Sequence, residues 1–444
     1  MIDTALLEKF NNQLTSDPAS QAVKNAIAKV GINEASFNNS VMRKHTFAFS
    51  QETKKGEMTN QKASGRCWMF AALNTARIDT MKKLDAEDFE FSQNYTLFWD
   101  KLEKSNYFLD SILETATEPL DSRLVQHLLT DPIQDGGQWD MFAGLLNKYG
   151  AVPKSVMPET YHSSNTKVLN TLMTSKLREF AARLRELKEN GSSNEEIAME
   201  KERMLSWIYA TLVKTLGEVP TTFTYAYHDT KGNYQAISEI TPQNFFAEYV
   251  DWNLEKRISL IHAPTKDKPF GRAYTVKYLG TVKEAQPVRY INTPIKALKD
   301  AAIASIKNGE PVWFGCDVGK MSERKAGVMD TETYSYDLTL NEPIRLTKAQ
   351  RLDYGDSLLT HAMVLVGVDL DENDQPINWK VENSWGEKVG KKGIFSMSDQ
   401  WFDEYTYQVA VDTKYIEEKW LKALAEPIIE LEPWDPMGAL AKVL

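Results

Sequence analysis

The chain has 444 residues, 42% of them hydrophobic and 26% charged, with a net charge of −10 at pH 7. That composition is ordinary for a folded protein large enough for two or three structural units, and its acidity argues against a nucleic-acid or anionic-membrane partner held by bulk charge. Two cysteines in so long a chain exclude a disulfide scaffold, and six scattered histidines without CxxC or HxxxH spacing offer no metal site.

The first residues, MIDTALLEKFNNQLTSDPASQ, lack the basic start, apolar run and small-residue cleavage site of a signal peptide. No window approaches the ~20 apolar residues that span a bilayer. The expectation is a cytoplasmic protein with no membrane partner. Residues 1–60 read as an amphipathic helix around Leu6, Leu7 and Phe10, followed by a polar, extended lead-in.

Residues 61–165 read as a helical unit. It opens with the stretch CWMFAALNTARIDTMKKL, where Cys67, Phe70, Ala71, Thr75 and Ile78 fall at helical spacing. Ser64 and Gly65 precede it as expected cap and turn residues, so Cys67 sits at a helix N-terminus, where the helix dipole favours an anion. Further helices follow, interrupted by the glycine-bearing loop QDGGQWD at Gln134 to Asp140. Residues 166–287 are a helical insertion and connecting region. Leu177, Phe180, Ala181, Leu184 and Leu187 form one stripe, Ile197, Met204, Leu205, Ile208 and Leu212 a second, and Ser193 with Glu196 makes a capping box between them.

Residues 288–424 turn β-rich in the runs PVWFGCDV, HAMVLVGVDL, NWKVENSW and GIFSMS. Cys316, inside the first run, reads as a buried small hydrophobe. Residues 425–444 are punctuated by proline and run as an extended arm. The fold class is α+β: a helical lobe carrying Cys67, a β lobe carrying His361, a helical insertion and a C-terminal arm.

A cysteine nucleophile needs a base beside it and donors for the oxyanion formed on attack. His361 opens an apolar strand, and Asn383 follows it by 22 positions (383 − 361), a spacing that fits adjacent antiparallel strands. The Asn383 side-chain oxygen can accept from the imidazole, and Trp385 can shield that bond from water. Gln61 can donate to an oxyanion together with the backbone N–H of Cys67. Each feature alone is weak; their order is specific.

The set Gln61…Cys67-Trp68…His361…Asn383-Ser384-Trp385-Gly386 resembles the papain-type cysteine peptidases. QKASGRCWMFAALN, DGGQWDM, THAMVLVGVD, WKVENSWG and PWDPMGALA resemble, more closely, the bleomycin hydrolase and aminopeptidase C branch. The chain departs from the secreted papain pattern at Ser64, where those enzymes carry a disulfide cysteine, and at Arg66. Its Cys-to-His separation is 294 positions (361 − 67), against about 130–150 in that pattern.

The resemblance implies a two-lobe papain-like fold and a cofactor-free cysteine aminopeptidase acting on peptides. Cys67 is then the nucleophile, His361 the acid–base, Asn383 its orienting partner and Gln61 the oxyanion donor, with Trp68 and Trp385 supporting. It also implies that the Cys67 thiol is held below the ordinary range, and that Gly136 and Gly137 pair with an extended backbone. The arm would limit the cleft by presenting a terminal carboxylate to the substrate ammonium. Ala441, Lys442 and Leu444 are the candidate residues there, depending on whether the chain trims its own tail. A homohexamer is implied too. The alternatives are an open-cleft endopeptidase of the same family and an acyltransferase.

Overall fold

The computed structural model describes residues 1–250 and 252–441; Lys442 and Leu444, named above as candidates for the end of the arm, lie outside the described residues. The helix Cys67–Leu84 forms the spine of the molecule, with 15 of its side chains buried. A helix covered on all sides needs no amphipathic pattern, so the expected single stripe is replaced by burial around the whole cylinder. Its cap also differs from expectation. Arg66 holds the N-cap position without a side-chain cap, and its guanidinium runs inward to pair with Glu159 at 2.8 Å while donating to Ser64 Oγ at 2.9 Å.

Against this spine pack the helices Gln93–Glu114 and Trp139–Tyr149. The insertion forms the antiparallel helices Lys167–Glu189 and Asn194–Leu216, with the capping box at Ser193 and Glu196 in place. Leu177, Phe180, Ala181 and Leu184 of the first, and Ile197, Met204, Ile208 and Leu212 of the second, are buried. That places both predicted stripes in one core with the Gln93–Glu114 helix.

The other lobe is a twelve-stranded sheet. Strands Thr406–Asp412, Val312–Cys316, His361–Leu370, Pro376–Glu382 and Ile394–Ser398 lie side by side at its centre, all antiparallel. Every residue of Val312–Cys316 is buried, and Cys316 with it, a free thiol as expected. The strands begin earlier than the texture of the sequence suggests. Arg257–Ile261 and Arg272–Val276 already belong to the large sheet, and Phe223–His228 with Tyr234–Ile240 makes a separate hairpin. Arg257–Ile261 and Arg272–Val276 are short, and each has a partner about 150 positions along the chain, so local alternation is a faint signal for them.

The N-terminal lead-in is more helical than expected. Thr4–Thr15 and Pro18–Val30 are two helices, each opened by an aspartate cap, Asp3 and Asp17. Neither helix buries a side chain. The arm is extended as predicted: Ile429–Leu431 adds a parallel strand beside Arg272–Val276, and a single 3₁₀ turn at Pro436–Gly438 follows.

Candidate active site

The two lobes meet at Cys67, the first residue of the spine helix, and His361, the first residue of its strand; both are fully buried. Backbone pairing does the placing. The strand from His361 lies between Val312–Cys316 and Pro376–Glu382, and the latter delivers Asn383 from its end. The register brings Asn383 back to the imidazole although 22 residues intervene.

Hydrogen bonding fixes the protonation pattern. Asn383 Oδ1 accepts the backbone N–H of Ser384 at 2.7 Å, so that atom is the oxygen and not the amide nitrogen. The same oxygen lies 2.9 Å from His361 Nε2, which must therefore carry the proton. Nδ1 is left as the basic lone pair, and it has no partner among the described residues. Trp385 covers the imidazole with ring centroids 4.9 Å apart, and the Arg324 guanidinium lies 3.8 Å from the centroid of that indole.

Gln61 is 1% exposed. Its Oε1 accepts from Ser384 Oγ at 2.7 Å, and its Nε2 donates to the Ser64 carbonyl at 2.7 Å. One N–H of that amide remains for an incoming oxyanion. Ser384, to which sequence reasoning gives no role, thus links Asn383 and Gln61 through its two polar groups. Removing one oxyanion donor of this kind costs about 10²–10³-fold in kcat. Gln61→Ala is accordingly expected to lower kcat of peptide hydrolysis by that factor with KM nearly unchanged, measured in steady-state assays.

The arm closes one side. Ala441 forms an antiparallel bridge with Gly137, and its carbonyl accepts from Cys67 Sγ at 3.5 Å. Both glycines are required by proximity. A Cβ on Gly136 would sit 2.9 Å from Leu440 Cβ, and one on Gly137 2.5 Å from the Trp68 indole. Trp68 itself is buried, donating Nε1 to the Asp135 carbonyl at 2.7 Å. Beside the site lies a cavity of ≈ 630 Å³, lined by Gln61, Ser64, Gly65, Asp135, Arg324 and Trp385 among others.

With the arm seated, burial pushes the Cys67 thiol up to about 12, although the N–H groups of Ala362, Trp68 and Cys67 itself pull it down. This is opposite to the direction the resemblance implies, because a fully buried sulfur, with the Ala441 carbonyl against it, lacks the water that would solvate a thiolate. Burial likewise pushes His361 down to about 4; the Asn383 bond opposes this and Arg324 adds to it. Both shifts have one cause: burial disfavours the charged forms, thiolate and imidazolium, in this packing. In the unfolded chain the imidazole protonates near ~6.5, so between about 6.5 and 4 acidification favours the unfolded state. The fall in Tm between pH 7 and pH 4 is expected to be smaller in His361→Gln than in the wild type, as thermal melts would read.

Among the described residues no cluster of His, Cys, Asp or Glu suits a metal ion, and no helix is long and apolar enough to cross a membrane. A buried cysteine at a helix start, a histidine with a bare Nδ1, an asparagine on its Nε2 and a glutamine amide beside them can carry out acyl transfer through sulfur. Residues 1–438 match the model of the Peptidase C1-like family. The chain belongs to that family. It is 48% identical over 435 residues to aminopeptidase C of Listeria monocytogenes, covering 98% of each chain. It is 42% identical over 447 residues to human bleomycin hydrolase, covering 99% of this chain and 97% of that one. The crystal structure of PepW from Lactobacillus rhamnosis superposes with a TM-score of 0.98 at 50% identity, covering 99% of both chains.

Proposed function

We infer that the chain is a cysteine aminopeptidase, releasing single residues from the free N-termini of peptides. The observation that carries this reading is the seated arm: Ala441 pairs with Gly137 and brings its carbonyl to 3.5 Å from the nucleophile. The cavity lined by Gln61 and Trp385 offers room for substrate beside the site. The relatives named aminopeptidase C, matched over nearly their whole length, support the same activity.

In this mechanism His361 Nδ1 takes the Cys67 proton as sulfur attacks the scissile carbonyl. The backbone N–H of Cys67 and the free N–H of Gln61 stabilise the oxyanion. The imidazolium, steadied by Asn383, returns the proton to the leaving amine, and a thioester to Cys67 remains. Water, deprotonated at the same Nδ1, hydrolyses that thioester and restores the thiol. The substrate's α-ammonium meets the carboxylate that ends the arm, at Ala441 or Lys442 after self-trimming or at Leu444 without it. Trp68 and Trp385 keep water from the two working hydrogen-bond systems.

The experiment is a comparison of one fluorogenic peptide with its N-acetylated twin. The free peptide is expected to be cleaved with kcat/KM at least about 10²-fold higher, since a buried charge pair of this kind is worth several kcal/mol. Equal rates would mean an open-cleft endopeptidase.

The working form in this reading is a cytoplasmic homohexamer. Two N-terminal helices that bury nothing in the chain itself, and that expose Leu7, Phe10, Leu14 and Val30, support assembly. The division into 1–60, 61–165, 166–287, 288–424 and 425–444 follows function: lead-in, nucleophile lobe, insertion, base lobe and arm.

A further inference from the structure

Beneath the Gly136–Gly137 loop lies a group of four buried charges, Asp100, Lys101, Lys104 and Asp135. Asp100 and Lys101 are 0% exposed, Lys104 and Asp135 6%. Burying charges is unfavourable unless every one is paired and hydrogen-bonded, so such a cluster needs a reason.

The bonds all run to one place. Asp135 uses its whole carboxylate: Oδ1 accepts from Lys101 Nζ and Asn170 Nδ2, each at 2.7 Å. Its Oδ2 accepts the Gly65 N–H at 2.8 Å and the Thr166 hydroxyl. Its backbone carbonyl takes the Trp68 indole N–H. Gly65 stands two residues before the nucleophile and Trp68 one after it. The two lysines hold the other face of the loop. Lys101 donates to the Ile133 carbonyl at 2.8 Å, and Lys104 to those of Gln134 at 3.0 Å and Gly136 at 2.6 Å, with Asp100 as its counter-ion at 2.9 Å. The Lys101 charge and these hydrogen bonds hold Asp135 well below the usual carboxylate range although burial acts the other way.

Nothing covalent ties the two loops, since both cysteines of the chain are free. Yet the register between them fixes the distance from the nucleophile to Ala441, because Gly137 pairs with Ala441 and the other loop leads directly into Cys67. A displacement of about 1 Å at a reacting centre can cost 10²-fold in rate.

We propose that Asp135 is a positioning residue, a carboxylate clamp that locks the arm-pairing loop to the nucleophile loop and so sets where a substrate's N-terminus stops. Lys101 and Lys104 complete the clamp. Thr166 and Asn170 bring the insertion into it, so the insertion takes part in fixing the site as well as in packing. The inference rests on the aminopeptidase reading, and its own signature is selectivity.

The test measures kcat/KM for a free-amino peptide and its N-acetylated twin in Asp135→Asn and Thr166→Val, per active site counted by iodoacetamide end-point titration. In Asp135→Asn the activity on the free peptide is expected to fall about 10²-fold, and the free-to-acetylated ratio at least about 10-fold. Thr166→Val removes one hydrogen bond and no charge, so it should fold normally and shift the ratio by about 3-fold. A purely structural role would lower both substrates in proportion to folded protein. An unchanged ratio in folded Asp135→Asn overturns the clamp, and if that variant does not fold, an unchanged ratio in Thr166→Val does so. A wild type without preference for the free peptide would overturn the aminopeptidase reading instead.

Discussion

Cys67→Ala is expected to lower kcat for a free-amino peptide by more than about 10⁴-fold, the scale seen when a nucleophile is removed from a working triad. The thiol supplies the bond that the acyl intermediate needs, and no other group can replace it: Cys316 lies inside the central sheet, fully buried, with burial holding its thiol well above the ordinary range. His361→Ala should approach the same loss, because nothing else takes the proton from sulfur. The two residues act as a unit, so the double variant should be scarcely worse than either single one. Intact mass adds a second readout to Cys67→Ala. If the chain trims its own tail, purified wild type ends short of Leu444 and Cys67→Ala does not. Identical full-length masses would exclude self-trimming. Wild-type activity surviving alkylation by iodoacetamide would remove Cys67 from the mechanism altogether.

Truncation after Gly438 is expected to convert selectivity rather than abolish catalysis. The arm is anchored upstream of the cut: Lys268 pairs with Asp435 at 2.8 Å, the Tyr290 hydroxyl donates to the Met437 carbonyl at 3.1 Å, and the Arg123 guanidinium stacks 4.0 Å over Trp434. These anchors remain, so the protein should fold. The cut removes the hydrogen bond from Gln138 Nε2 to the Ala439 carbonyl at 2.6 Å, together with the Ala441 bridge. Cleavage of N-acetylated peptides should rise about 10²-fold, and kcat/KM for free-amino peptides should fall about 10–10²-fold as their ammonium loses its partner. Removal of Ala441 also opens Cys67 to water, which lowers the desolvation that holds its thiol up to about 12. The iodoacetamide rate at pH 7 should therefore increase on truncation. A truncated enzyme as selective for free N-termini as the wild type would mean that the arm does not limit the cleft.

Much of this is legible in the sequence because the signals are local or carried by rare residue types. Cys67 at the head of an apolar helical run, the capping box at Ser193 and the proline-marked arm each depend on residues within a few positions of one another. The early strands Arg257–Ile261 and Arg272–Val276 escape such a reading for the opposite reason. They pair with Thr406–Asp412, Tyr290–Asn292 and Ile429–Leu431, so the residues that specify them stand up to about 150 positions away. Of the two N-terminal helices only the first is read from its apolar spacing; Pro18–Val30 lies in the segment read as extended.

By itself the sequence determined the family and the residue set from which the chemistry is proposed: a cysteine, a histidine, an asparagine and a glutamine in that family's order, on an α+β chain. Tertiary structure alone decided what surrounds them. The tautomer of His361 follows from Ser384 N–H on Asn383, a bond that exists only once the strand has ended there. The covering of Cys67 involves an arm residue 374 positions away, and the support of its loop comes from Asp135 and the insertion, 70 or more residues along the chain from Gly65. Residue type sets which protons can move. Burial and hydrogen bonding set whether they do, and both are properties of neighbours that the linear chain does not bring together.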